Sequence, residues 1–286
     1  MLLYKQITKI EKTQLSKDLK KFLKEDIPNV DLTTEHTISL NSHCTAILAA
    51  REKMVFCGQD IINNIFSKKI KIINHVKDGD QLEPGTKIAS LMGSTKEILI
   101  KERLILNLIQ RLSGISTTTK HYVSALDNNN IHILDTRKTT PGLRYLEKYA
   151  VYIGGGSNHR MNLSSGFLIK DNHIANNKKI NRIVEKLSQK RKEPLQVEID
   201  SIKQLTPLLI NTVDGFLLDN MSATQLKKCI HKINKHNKTQ KQIFIEASGG
   251  ITIKNIKKYD IPGINGISIG ALTHHIKSID IGLDIQ

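Results

Sequence analysis

The sequence predicts an α/β protein in which a mixed α/β N-terminal unit is followed by a parallel (β/α) barrel of seven strands, one short of closure. Three observations carry this reading. From Ile131 onward, seven β-prone runs recur with their starts 17 to 28 residues apart, the length of a βα unit. Each run is followed by a polar or Gly-rich turn and then by helical sequence. Before Ile131 the texture is irregular, so the 286 residues divide between one repetitive and one non-repetitive part. A doubly wound open sheet is the main structural alternative for the same units.

The N-terminal part begins with helical spacing over 14–23 and short strands over Thr45–Ala50 and Met54–Gly58. Asp78-Gly79-Asp80 and Glu83-Pro84-Gly85 are turn signals. A helix is predicted from Lys96 to Ile115, its buried face marked by Ile100, Leu104, Leu108, Ile109 and Leu112 and its polar side by Glu102, Arg103 and Arg111. The barrel strands are predicted at Ile131–Leu134, Ala150–Ile153, Phe167–Ile169, Leu195–Ile199, Gly215–Leu218, Ile243–Glu246 and Gly266–Ile269.

No run approaches the roughly 18 apolar residues that span a bilayer. The opening Met1-Leu2-Leu3-Tyr4-Lys5 leads into Lys-rich helical sequence without a secretory pattern, so a cytoplasmic protein is expected. Cys44, Cys57 and Cys229 lack CxxC spacing and read as buried reduced thiols. The formal charge of +16 raises the possibility of a polyanion partner. With 4% aromatic residues and no Trp, however, platforms for stacking bases are scarce, and a solvated lysine surface is the simpler account. Only eight of the 43 basic residues are arginine, and five of these (Arg103, Arg111, Arg137, Arg144 and Arg160) fall within 60 residues. In a chain that otherwise uses lysine, retained arginines point to bidentate contacts with carboxylate or phosphate.

A parallel barrel places its chemistry at the C-terminal ends of the strands. There stand Asp135-Thr136-Arg137-Lys138, Gly154 through Arg160, Lys170-Asp171-Asn172-His173, Glu198 with Asp200, Asp219-Asn220, Ser248-Gly249-Gly250 and Gly270-Ala271. The last two turns suit a phosphate, because backbone N–H groups at Gly-rich turns cradle anions. Arg137, Lys138, His159, Arg160 and Lys170 exceed the charge one phosphate needs, so a second, multiply anionic ligand is implied. Glu198 and Asp219 can hold Mg²⁺, take a proton or stabilise a cationic transition state.

These residues resemble a known family. Asp135-Thr136-Arg137-Lys138-Thr139-Thr140-Pro141-Gly142-Leu143-Arg144, with Glu147-Lys148-Tyr149-Ala150-Val151, looks like the signature of the quinolinate phosphoribosyltransferases. So do Gly154-Gly155-Gly156-Ser157-Asn158-His159-Arg160, Ile169-Lys170-Asp171-Asn172-His173-Ile174, Leu218-Asp219-Asn220-Met221, Ser248-Gly249-Gly250-Ile251-Thr252 and Gly270-Ala271-Leu272-Thr273-His274. Asp31-Leu32-Thr33-Thr34, Ala50-Arg51-Glu52 and Glu102-Arg103 extend the resemblance over nearly the whole chain. Lys120-His121 departs from an Arg-rich turn, outside the expected pocket.

The resemblance implies an N-terminal α/β sandwich over 1–112, joined again by 276–286, and a seven-stranded open barrel over 113–275. It implies a homodimer, with Arg103 reaching the partner's site. The implied reaction joins quinolinate to 5-phosphoribosyl 1-pyrophosphate with Mg²⁺, giving nicotinate mononucleotide, pyrophosphate and CO₂ in NAD synthesis. Quinolinate would meet Arg103, Arg137, Lys138, His159, Arg160 and Lys170. Phosphoribosyl pyrophosphate would meet Glu198, Asp219, Ser248, Gly249, Gly250, Gly270 and Ala271. Lys138, Glu198 and Asp219 would act in catalysis, with Glu198 and Asp219 holding Mg²⁺ directly or through substrate or water. No nucleic-acid or membrane partner is expected. The rival readings are a molybdenum-transport paralogue acting on another anion and, from a different class, a basic nucleic-acid-binding protein.

Overall fold

A computed structural model describes residues 2–170, 173, 180–189, 191–239 and 241–286. Asp171, Asn172 and Ile174 of the quoted motifs lie outside the described residues. In chain order the helices are α1 (Lys12–Asp26), α2 (Leu32–Thr37), α3 (Gln59–Ile65), α4 (Thr95–Leu126), α5 (Arg144–Ile153), α6 (Ile180–Ser188), α7 (Pro207–Thr212), α8 (Ala223–His236) and α9 (Ala271–His274). The strands are β1 (His43–Ala50), β2 (Met54–Val55), β3 (Lys71–Asn74), β4 (Gln81–Leu82), β5 (Lys87–Ser94), β6 (His132–Leu134), β7 (Phe167–Ile169), β8 (Leu195–Ile199), β9 (Gly215–Asp219), β10 (Phe244–Ser248), β11 (Gly266–Ser268) and β12 (Ile281–Ile285).

The chain divides into two compact units. One comprises Ile7–Lys120, Leu146–Gly154 and His275–Gln286. Its main sheet is antiparallel in the order β12-β1-β5-β3, with Ala50 opposite Ile281 and Ala46 opposite Ile285. Sequence spacing ends the long helix at Ile115, whereas α4 continues to Leu126. The continuation is rich in Ser and Thr, poor helix formers because their hydroxyls compete for backbone groups. Here those hydroxyls are used: Thr117 Oγ1 accepts from Val55 N at 2.8 Å, Ser116 Oγ donates to Val55 O at 2.6 Å, and Ser113 Oγ accepts from Cys57 N at 3.1 Å. The side chains that weaken the helical signal thus satisfy the backbone of the neighbouring segment.

The other unit comprises the segment through Gln6, His121–Tyr145 and Gly155–His274. Its sheet is parallel, in the order β6-β11-β10-β9-β8-β7. Glu198 lies opposite Leu217, which lies opposite Glu246, and one rung higher Asp219 lies opposite Ser248. Since side chains alternate along a strand, Gln196 and Glu198, Leu217 and Asp219, and Glu246 and Ser248 share the inner face. The alternate residues Val197, Ile199, Phe216, Leu218, Ile245 and Ala247 are buried on the other face. Covering both faces of a parallel sheet is what gives these strands their nearly continuous apolar texture.

One predicted strand is corrected. Ala150–Ile153 is the last turn of α5, so among the described residues the sheet has six strands and not seven. Leu146, Tyr149, Ala150 and Ile153 follow helical i, i+3, i+4, i+7 spacing, which outweighs the β-branched Val151 and Ile153. What occupies the seventh place is a single parallel bridge between Ser157 and Leu134, with Ser157 N donating to Ile133 O at 2.7 Å. Gly154, read as a loop glycine near the site, follows the helix directly, and a Cβ there would overlap the Ser116 carbonyl. Its role is close packing against α4.

Candidate active site

Inner-face side chains and strand ends of the parallel sheet enclose a cavity of about 690 Å³. Both edge strands contribute, β6 through Thr136, Arg137 and Lys138 and β7 through Leu168 and Lys170, so the sheet curls around the cavity. The lining holds Arg137, Lys138, His159, Arg160, Lys170, Glu198, Asp219, Ser248, Gly249, Gly250, Gly270 and Ala271. Arg103 is exposed, belongs to the other unit and is not among the lining residues. Every other residue that the sequence assigns to quinolinate, phosphoribosyl pyrophosphate or catalysis lines this one space.

The basic side is built around a loop with little strand pairing. Asp135, fully buried, accepts from His159 N and from Asn158 Nδ2, each at 2.8 Å. Gln6 holds the same loop from the N-terminal segment: its Oε1 accepts from Asn158 N at 2.6 Å and its Nε2 donates to Asn158 O at 3.1 Å. Arg160 is 6% exposed and donates to Gly166 O at 2.9 Å. Burial pushes its pKa down, and the like charge of Arg137 adds to this, while Tyr4 opposes it. The Nε of Arg137 is buried with no hydrogen-bond partner among the described residues. Two neighbouring guanidinium groups with an unused donor make a site that an anion completes.

The carboxylates stand on adjacent strands. Glu198 Oε2 lies 2.8 Å from Lys170 Nζ, and Asp219 Oδ2 accepts from Asn220 Nδ2 at 2.7 Å. Asn220 has φ of 52°, and its N–H donates to Ser248 O at 2.9 Å, tying the ends of β9 and β10 together. Gly249 has φ of +94°, and a Cβ there would overlap the Asn220 side-chain amide. Beyond the sheet edge, Thr273 Oγ1 donates to Lys138 O at 2.7 Å, linking the last strand-end turn to the first.

Sequence reasoning gave no role of their own to two carboxylates that shape the site, Asp135, named only within a strand-end motif, and Glu246. Glu246 lines the cavity yet is fully buried. A lone acid within Ile243-Phe244-Ile245-Glu246-Ala247, in phase with Ser248, was the available signal. Of the five clustered arginines, Arg137 and Arg160 line the cavity. Arg111 spends its fork on the buried Glu147, with Nε at 2.8 Å and Nη2 at 2.7 Å from Oε1. Arg144 Nε donates to Thr139 Oγ1 at 2.9 Å. Of the thiols, Cys57 and Cys229 are buried and Cys44 is half-buried, all unbridged.

Known proteins resemble this chain over almost its full length. The family model for the quinolinate phosphoribosyl transferase N-terminal domain matches residues 31–113, and that for the C-terminal domain matches 115–284. The nicotinate-nucleotide pyrophosphorylase (carboxylating) of Mycobacterium leprae is 34% identical, over 93% of this chain and 95% of its own. A relative in Bacillus subtilis, described as a probable enzyme of the same name, is 42% identical over 95% and 93%. The structure of nicotinate-nucleotide pyrophosphorylase from Francisella tularensis superposes with a TM-score of 0.89 at 34% identity, covering 99% of this chain and 100% of that one. Fold and relatives together define the class, a phosphoribosyltransferase built on a parallel barrel. Within it, the chain belongs to the quinolinate phosphoribosyltransferase family.

Proposed function

We propose that this cavity joins quinolinate to 5-phosphoribosyl 1-pyrophosphate, releasing nicotinate mononucleotide, pyrophosphate and CO₂ for NAD synthesis. The observation that carries the roles is the meeting of a cationic loop and lysines with a carboxylate- and glycine-bearing floor around one space. Arg137, Arg160, Lys138, His159 and Lys170 take the two carboxylates of quinolinate. Ser248, Gly249, Gly250, Gly270 and Ala271 take the 5-phosphate. Glu198 and Asp219 face the ribose and stabilise the cationic character that develops at its anomeric carbon as pyrophosphate departs. The ring nitrogen forms the new bond to that carbon. The resulting pyridinium then accepts the electron pair left when the C–C bond to CO₂ breaks, and the ring carbon takes up a proton.

Mg²⁺ fits the donor set. Glu198 and Asp219 offer hard carboxylate oxygens on the same cavity, and Mg²⁺ commonly takes one or two such groups with substrate phosphates completing its shell. Among the described residues no group of three or more His, Cys, Asp or Glu side chains could hold a metal, in keeping with a site shared with substrate. When bound, the ion supplies positive charge against the leaving pyrophosphate. The working enzyme is a homodimer in the cytoplasm whose Arg103 serves the partner's site; the exposure of Arg103 and the unbridged thiols support this.

The deciding experiment follows CO₂ from carboxyl-labelled quinolinate, with nicotinate as parallel substrate and EDTA as control. Release requiring quinolinate, phosphoribosyl pyrophosphate and Mg²⁺ is the expected result. Mixing an Arg103→Ala protein with a Glu198→Gln protein restores activity if the site is shared. No rescue after confirmed subunit exchange removes that assignment.

A further inference from the structure

A carboxylate in the wall of a pocket for a dianion weakens binding unless its charge is engaged elsewhere. Glu246 is turned onto protein groups. Its Oε2 accepts from Gln196 Nε2 at 2.7 Å and faces His159 Nε2 at 3.5 Å. Burial alone would push its pKa up, but the neighbouring His159 and the hydrogen bonds from Gln196 and Ser268 outweigh burial and hold it below the ordinary range. Glu246 is therefore a fixed negative charge beside the ring of His159.

The other ring nitrogen is also engaged. His159 Nδ1 accepts the backbone N–H of Arg160 at 2.8 Å, so the neutral ring carries its hydrogen on Nε2, directed at Glu246. Gln196 is itself oriented, because its Oε1 accepts the Tyr4 hydroxyl at 3.0 Å, which turns the amide nitrogen toward Glu246. Tyr4 also packs on the His159 ring, with centroids 4.6 Å apart and planes inclined by 36°. Burial, reinforced by Glu246, pushes the Tyr4 phenol well above its ordinary range, so it stays a donor at any working pH.

We propose that Glu246 is a positioning residue for the dicarboxylate pocket: it fixes the tautomer and ring plane of His159, and the Tyr4–Gln196 pair in turn fixes Glu246. The N-terminal segment is thereby part of the active-site support. This rests on the reading of His159 as a quinolinate contact. Glu246→Gln is nearly isosteric but removes the charge and places an amide where an acceptor stood, whereas Glu246→Asp keeps the charge.

The test combines kinetics with ¹⁵N NMR of the histidine rings, the His159 signals being assigned by their loss in His159→Ala. Expected for Glu246→Gln is a rise of about tenfold in the KM for quinolinate, with that for phosphoribosyl pyrophosphate little changed and a loss of the Nε2–H form of His159. Glu246→Asp restores part of both. Tyr4→Phe, a milder change outside the cavity wall, raises the quinolinate KM by about threefold. A folded Glu246→Gln protein with unchanged quinolinate KM, beside a His159→Ala protein with a raised one, overturns the proposal. If His159→Ala leaves that KM unchanged, the pocket reading falls. The NMR result then decides the positioning by itself, and retention of the same tautomer in Glu246→Gln overturns it.

Discussion

Lys170 Nζ lies 2.8 Å from Glu198 Oε2, pairing a group assigned to quinolinate with one assigned to phosphoribosyl pyrophosphate. Each neutralises the other in the free site, so binding either substrate redistributes the pair. Lys170 is 44% exposed and Glu198 15%, which makes the pair cheap to open. In a Lys170→Met protein the quinolinate KM should rise by about tenfold, while the Mg²⁺ concentration giving half-maximal rate falls because Glu198 is released. Steady-state kinetics over a Mg²⁺ titration measure both. An unchanged Mg²⁺ requirement would show that Glu198 does not share its charge between Lys170 and metal.

Two arginines offer a contrast between a ligand site and a protein one. Arg137→Ala removes a side chain whose Nε has no hydrogen-bond partner among the described residues, so stability should hardly change. Turnover efficiency with quinolinate should fall by about 100-fold or more. Arg111→Ala removes the guanidinium paired with the fully buried Glu147 and should cost about 3 kcal/mol of stability. Urea denaturation and kinetics on both proteins check the pair of expectations, and a reversed pattern would exchange their roles.

Gly249→Ala tests the phosphate floor. The substitution combines strain at φ of +94° with overlap of the Asn220 amide, and both push the turn after β10 away from the strand end. The KM for phosphoribosyl pyrophosphate should rise by about tenfold, well beyond any change for quinolinate. Equal effects on the two substrates would point to general loosening of the site.

Far from the cavity, Asp214 gives a pH dependence of stability. Burial raises its pKa, but hydrogen bonds from Arg191, Lys241 and Leu195 N and the charge of Arg191 outweigh this and lower it below the ordinary 3.8. A carboxyl depressed on folding stabilises above its unfolded pKa and loses that contribution as pH falls through the folded value. Asp214→Asn should therefore be less stable than the parent at neutral pH, the gap closing below about pH 4. Denaturation curves from acid to neutral pH measure it; a gap independent of pH would remove the electrostatic account.

Much of the barrel is legible because parallel strands covered on both faces read as continuous apolar runs, as in Gly215-Phe216-Leu217-Leu218, ending abruptly in polar chemistry at Asp219. Ala150–Ile153 misleads for the same reason, since a four-residue apolar run with β-branched members suits either state. Only the longer frame from Leu146 to Ile153 exposes the helical phase. Strand-end residues were readable as a group, whereas Asp135 and Glu246 act through other side chains, and their partners His159, Asn158 and Gln196 are brought to them only by the fold. Arg111 shows the limit of composition: a retained arginine signals a carboxylate partner without saying whether that partner is substrate or Glu147.

The replacement of a seventh strand by one bridge at Ser157 divides the site into two kinds of construction. Asp219 and Ser248 sit on a backbone ladder, where changing a neighbouring side chain leaves the rungs intact. His159 and Arg160 sit on a loop tethered by the side chains of Asp135 and Gln6. The half assigned to the phosphoribosyl donor is thus conservative by architecture. The half assigned to the acceptor can be reshaped by a few side-chain exchanges, a division of labour suited to evolving new acceptors for an unchanged donor.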